Sequence, residues 1–330
     1  MKNNENKIIL ITRKSRLEEL IYRFNTQSQA KFYIEHLGGD FDEYVDEHRQ
    51  YKSVIQKSLK TLSALGRVHQ LDRLYLPNYI FNPDDVVVVV GQDGLVANTI
   101  KYLNFHPVIG VNPDPSRWDG ELLKFVESDL KTVVPEILNK RNCSLKNITL
   151  AKALLNTGEE IYGVNDIFIG PKTHSSLRYN LKIGNQNENQ SSSGIIISTG
   201  LGSTGWFKSL ITGANKIYDA INPRAKIPVH SKSSFFKTTL VENSEPTFDW
   251  DANYLYYTVR EPFPSLYSKA NLIFGKITPS KKLIISSFMP ENGVIFSDGI
   301  EKDFINFNSG TIATIEVANK KGCLVTNEYN

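Results

Sequence analysis

The chain has 330 residues, 40% hydrophobic and 11% aromatic, with a formal net charge of +3. That length suits two domains with real cores, and the charge is too small and too dispersed to track a phosphate backbone, so no nucleic-acid partner is expected. Two cysteines, Cys143 and Cys323, exclude a disulfide scaffold or a cysteine zinc site and fit reduced thiols.

No apolar run approaches the ~20 residues of a membrane helix. The polar start "MKNNENKIILITRKSR" carries too short an apolar run for a secretory signal. The expectation is a cytoplasmic protein with no membrane partner.

The first element is a buried strand, "KIILIT", Lys7 to Thr12. A polar, helix-like region follows to about Gln50, broken at Gly38-Gly39. In "YKSVIQKSLKTLSALG", residues Ile55, Leu59, Leu62 and Leu65 share a helical face and Gly66 supplies a stop. "RVHQLDRLYL" reads as a strand and "YIFNPDD" as a turn. Val86 to Val90 is a second buried strand and "HPVIGVN" a third. Strands alternating with helices predict a doubly wound parallel sheet.

After about Asn142 the texture changes. "DIFIG", "RYNLKIG", "GIIIST", "TFDW", "LYYTV", "KLIISSF", "GVIFS" and "TIATIEV" are short β-rich runs between turn residues. One helix, about Ser203 to Ile221, interrupts them. "GNQNENQSSSG" reads as a polar hairpin loop and "NKKG" (319–322) as a solvated turn. The expected organisation is an α/β domain over 1-141 and a mainly β domain over 142-330.

Four stretches carry candidate chemistry. In "VVVVVGQDGLVANTIKYL" a buried strand ends at Gly91-Gln92-Asp93-Gly94, and Leu95, Thr99, Ile100 and Leu103 then follow at helical spacing. A strand end, a glycine turn and a helix start form a ligand position in α/β sheets, with free amides for an anion. A plain Asp-Gly hairpin is the competing reading, which the helical spacing opposes. In "GIIISTGLGSTGWFKSLITGANKIYDAI" a second strand runs into three glycines (Gly200, Gly202, Gly205) and three hydroxyls (Thr199, Ser203, Thr204). These exceed the needs of a helix cap. The helix after them places Trp206, Leu210, Ile211, Ala214 and Ile217 on one face.

"GVNDIFIG" sets Asn165 and Asp166 before an apolar run, where such residues are ordinarily turn formers. "GVNPDPSRW" puts Asn112 and Asp114 directly after a buried strand, either as a ligand-facing loop or as a proline-rich turn. The six histidines are scattered without metal-ligand spacing, and Trp118 and Trp250 read as packing aromatics.

Taken in order, "GQDGL", "ND" and "GSTGW" resemble the signature of the NAD kinase family: a Gly-Gly-Asp-Gly-Thr turn, an Asn-Glu pair and a Gly-Ser-Thr-Ala-Tyr loop. "PVIGVNPDP", "REPF" and "SDGIEKDFINFNSGTIATIEV" look like the mitochondrial-type members and their bacterial relatives. The resemblance implies an N-terminal α/β domain, a β-rich second domain and a site between them. It implies ATP-dependent phosphorylation of the adenosine-ribose 2′-hydroxyl of NAD, with Mg²⁺ and a homo-oligomer.

By position, Asp93 would be the general base. Gly91, Gln92, Gly94 and Leu95 would form the phosphate turn, and Asn112 and Asp114 would line the cleft. Asn165 and Asp166 would bind the adenosine part of NAD. Thr199, Gly202, Ser203, Thr204 and Trp206 would wall the dinucleotide pocket.

The chain departs from the pattern at Gln92 for glycine, Leu95 for threonine, Asp166 for glutamate and Gly205 for alanine. Three alternatives stay open: a catalytically impaired dinucleotide-binding sensor of the same fold, a lipid kinase sharing the glycine turn, and a kinase of another nucleoside or sugar hydroxyl. No basic amphipathic helix supports the lipid kinase.

Overall fold

The computed structural model describes residues 7–139, 144–221 and 247–327. Cys143 and His230 lie outside them. The chain divides into two compact units: Met1–Asn147 with Gly322–Asn330, and Ile148–Lys321. The sequence reading drew one boundary after 141; the contacts divide the chain after 147 and return the last residues to the first unit. The sequence gives no cue for that return, because it depends on a strand pairing of very long range.

In the first unit, β1 (Lys7–Thr12), β2 (Arg67–Asp72), β3 (Val86–Val90) and β4 (Pro107–Val111) form a parallel sheet in the order β2-β1-β3-β4. The strand order reverses between β1 and β3. All five valines of β3 are buried, because the strand has neighbours on both edges and is covered on both faces. Val86, Val88 and Val90 pack with residues of α3 (Phe41–Ser63) and α5 (Leu130–Leu138). Val87 and Val89 alternate to the other face and are equally buried.

The region between β1 and β2 holds three helices: α1 (Arg16–Phe24), α2 (Gln27–His36) and α3. The chain breaks at Asn25 and Gly38, both at positive φ. Ile55 and Leu62 of α3 are buried, and Leu59 and Leu65 pack against the same core. The expected strand over 67–76 is shorter, because Asp72 caps a 3₁₀ turn over Arg73–Asn78 through the Leu74 amide, at 3.0 Å.

The second unit is a sandwich of antiparallel sheets. One sheet runs in the order β12 (Phe274–Ile277), β11 (Leu255–Arg260), β10 (Gly194–Ser198), β7 (Asp166–Pro171), β14 (Gly293–Ser297), β15 (Ile300–Asn306). Facing it are β8 (Leu177–Ile183), β9 (Gln186–Ser192), β13 (Leu283–Ser287) and most of β16 (Ile312–Thr326), with β5 (Ser144–Leu155) and β6 (Glu160–Gly163). Ile167, Ile169, Ile195, Ile197, Tyr179 and Ile285 belong to the core between them. The end of β16 lies in the first unit, where Cys323 and Leu324 pair in parallel with Pro107 and Val108 of β4.

Several expectations are corrected. "GNQNENQSSSG" is not a loop: only Gly184, at φ +58, and Asn185 form the turn, and 186–192 pair along β8. Its buried Glu188 and Gln190 are satisfied by hydrogen bonds, so a polar sequence makes an interior strand edge. "TFDW" is not a strand. "NKKG" is no turn but part of β16. The helix α6 (Trp206–Ile221) buries Phe207 rather than the expected face; Ile217 is 63% exposed. Its first turn docks through ring contacts of Phe207 with Tyr256 and Phe274, which sets a different face inward.

Candidate functional site

In the first unit the carboxyl ends of β1 and β3 flank the point where strand order reverses, the usual ligand position of an open α/β sheet. Tyr51 of α3 fixes both ends. Its hydroxyl accepts from the Arg13 amide at 2.9 Å and donates to the Val90 carbonyl at 3.0 Å. Burial pushes its phenol up to about 12, so it stays a neutral donor.

After β3, the chain turns directly into α4 (Asp93–Ile100), so the hairpin reading of Asp-Gly is overturned. Gln92 sits at φ −110, an extended conformation open to any residue, which explains why the turn forms without a second glycine. Gln92 makes no side-chain cap. Gly94 is exposed, and a Cβ there would meet nothing within 4 Å, leaving the first helical turn open to a ligand. Gly91 is different: a Cβ would lie 2.7 Å from the Leu95 side chain. Leu95 itself is buried, so it packs inside the turn.

Asp93 is half-buried and its carboxylate is anchored. One oxygen accepts from the Glu121 amide and the other from the Leu122 amide, each at 2.9 Å. Gly120, at φ +65, lets the 120–122 segment present both amides. That segment continues the loop after β4, where Asn112 and Asp114 lie. Asn112 is buried; its amide donates to the Trp118 carbonyl at 2.7 Å and its oxygen accepts from the Asp114 amide at 3.0 Å. Asp114 accepts from Ser116 at 2.6 Å and pairs with Arg117 at 3.4 Å. The structure therefore brings Asp93, Asn112 and Asp114 onto one loop system, with the latter two shaping the loop.

The second unit gathers Asn165, Asp166, Thr199, Gly202 and Ser203 at the ends of β7 and β10. Thr199 is fully buried; its hydroxyl donates to the Val164 carbonyl at 2.5 Å, and its amide donates to the Asn165 carbonyl at 3.0 Å. A Cβ on Gly202 would lie 1.9 Å from the Asn165 carbonyl oxygen, and one on Gly200 1.9 Å from that of Asp249. These glycines thus let the loop lie on the chain's own backbone. Ser203 donates to the Gly200 carbonyl at 2.6 Å. Thr204 is exposed.

Asp298, in the turn between β14 and β15, was missed by sequence reasoning. One of its oxygens accepts from the amides of Val164, Asn165 and Asp166 at 3.0, 2.6 and 3.3 Å. Its "SDGI" context reads only as a hairpin turn, and Asp298 does sit at φ 54. With the backbone of Asn165 held in this way, its half-buried side-chain amide has no hydrogen-bond partner among the described residues.

Trp206 is half-buried, its ring stacked on Phe168 at 5.5 Å, with the Arg260 guanidinium 5.3 Å from its centroid. This planar face with a cation over it suits an aromatic or anionic ligand group. His174 is exposed.

The fold of this chain occurs in known proteins. Two solved structures share it: an NAD kinase from Archaeoglobus fulgidus in complex with ATP, at TM-score 0.53 and 15% identity over 98% of this chain and 94% of that one, and a yeast NADH kinase complexed with NADH, at TM-score 0.53 and 16% identity over 99% and 85%. No family model and no curated protein matches the chain. Among the described residues no helix is long and apolar enough to cross a membrane, and no three or more His, Cys, Asp or Glu gather as a metal cage.

Proposed function

We propose that the chain is an NAD kinase-like phosphotransferase that uses ATP to phosphorylate the adenosine-ribose 2′-hydroxyl of NAD. The observation that carries the reading is Asp93: an anchored carboxylate at the end of a buried parallel strand, at the strand-order reversal, beside a helix start left open by Gly94. The fold shared with kinases whose structures hold ATP and NADH supports it.

In this reading the 2′-oxygen attacks the terminal phosphorus of ATP and the bond to the ADP oxygen breaks. The hydroxyl proton passes to Asp93. The two backbone amides use one lone pair on each carboxylate oxygen, which aims the group and leaves further lone pairs to accept the proton. Such a transition state is loose, so positioning and charge placement supply most of the rate. The Asn165 amide and the Trp206 face would hold the dinucleotide. Mg²⁺ would accompany ATP and neutralise charge on its phosphates.

A second reading, dinucleotide binding without turnover, is favoured by Leu95, which is buried where a kinase turn carries a hydroxyl. NADP formation from NAD, ATP and Mg²⁺ decides between them. Turnover falling at least about a hundredfold in Asp93→Asn is the expected result. NAD binding without NADP formation would select the second reading.

A further inference from the structure

Three neighbouring strands of the second unit bring together two lysines, a glutamate and a tyrosine. β5 pairs with both β6 and β16. Lys152 stands on β5 directly opposite Tyr162 of β6, and Lys320 stands on β16. The Lys320 ammonium lies 3.6 Å from the centroid of the Tyr162 ring, and that of Lys152 lies 5.5 Å from the same centroid.

The two lysines are held differently. Glu160 is engaged through both oxygens: one pairs with the Lys152 ammonium at 2.5 Å, and the other accepts from the Tyr162 hydroxyl at 3.0 Å. The bond to Glu160 raises the Lys152 amine above its ordinary value, so it stays an ammonium. Lys320 is half-buried over the ring. Burial brings its amine down to about 8, with the charge of Glu160 opposing the effect and that of Lys152 adding to it. About a tenth of that amine is then neutral at pH 7, against less than about a thousandth of an ordinary lysine. A desolvated lysine beside a second cation is an activated nucleophile. Within the cluster two ammoniums also face one carboxylate, and losing one ammonium relieves their repulsion.

We propose that Lys320 is a lysine acylation site, its Nζ reacting with an activated acyl group, an acyl phosphate or an acyl thioester, while Lys152 on the same ring is spared. The nitrogen lone pair attacks the carbonyl carbon. The N–C bond forms as the bond from that carbon to the phosphate oxygen or thiol sulfur breaks. The proton shed by the nitrogen leaves with the departing phosphate or thiolate, and nothing is oxidised or reduced. The product is a neutral amide, so the Lys152–Glu160 pair is left balanced and Tyr162 keeps its hydrogen bond.

The test is mass spectrometry of the full native chain after brief exposure to acetyl phosphate or, separately, acetyl-coenzyme A at neutral pH. Rates are read lysine by lysine on wild type, Lys152→Met and Glu160→Gln. Lys320 is expected to react about tenfold faster than the chain's exposed lysines, because its larger neutral fraction outweighs the lower nucleophilicity of a weaker base. Its rate is expected to level off above about pH 8 while theirs keeps rising. Lys152→Met removes the neighbouring charge and is expected to slow Lys320. Glu160→Gln releases Lys152 and is expected to make it reactive as well. The expected preference with one reagent only upholds the site and names its acyl source. A Lys320 that reacts no faster than exposed lysines with either reagent overturns it. So does a fast Lys320 that Lys152→Met leaves unchanged, since the cluster would then not be the cause.

Discussion

Asp298 shows how one side chain organises a loop from a distance. Its carboxylate takes three consecutive backbone amides, the arrangement otherwise found where a protein captures an anion. Asp298→Ala strands those donors and is expected to cost about 3 kcal/mol in denaturant unfolding, with weaker NAD binding because Asn165 is released. Asp298→Asn keeps an acceptor oxygen in place and should recover most of both.

The strand ends and glycine turns of the candidate site were legible, since an apolar run meeting Gly-x-Asp-Gly specifies strand, turn and helix locally. The partners were not. Asp93 meets Glu121 and Leu122, and Asp298 meets Val164, across spans that no local pattern encodes. In the sequence the glycines of "TGLGSTG" exceed the needs of a helix cap and point to a ligand loop. Gly200 and Gly202 instead make room for the Asp249 and Asn165 carbonyls.

At the scale of an element, β9 is the instructive case. Its sequence carries no apolar alternation, so hydrophobic periodicity cannot find it. What holds it is Glu188, which accepts from the amides of Asn271 and Leu272 at 3.0 and 2.8 Å and from the Asn271 side chain at 3.1 Å. Burial pushes this carboxyl up, but those hydrogen bonds and that from Gln190 together hold it below its ordinary value. A carboxyl with a lowered folded-state value stabilises the protein above its unfolded value. That contribution disappears as pH falls from the ordinary value of 4.5 through the lowered one. Glu188→Gln is therefore expected to reduce stability at neutral pH and to flatten the acid limb of the unfolding midpoint against pH. An unchanged acid limb would remove Glu188 from this role.

For the molecule as a whole, the informative element is β16, which serves both units. Leu324 and Val325 are buried in the first unit, although the strand begins in the second. Val325→Asp buries an unpaired charge beside the core of α3, α5 and β3. Hydrogen exchange is expected to show lost protection across β1, β3 and β4, with protection retained in the β10–β7 pairing.

Since β16 is the last strand of the described chain and completes the sheet beside β4, the first unit cannot finish folding when its own helices and strands have left the ribosome. It must wait, with the Pro107–Val108 end of β4 unpaired on one edge, while the whole β-sandwich is made. Domains generally fold as they emerge, N-terminal first. Here the order of synthesis and the order of completion are uncoupled, and the open edge is the place where a nascent chain would be most exposed to wrong pairing.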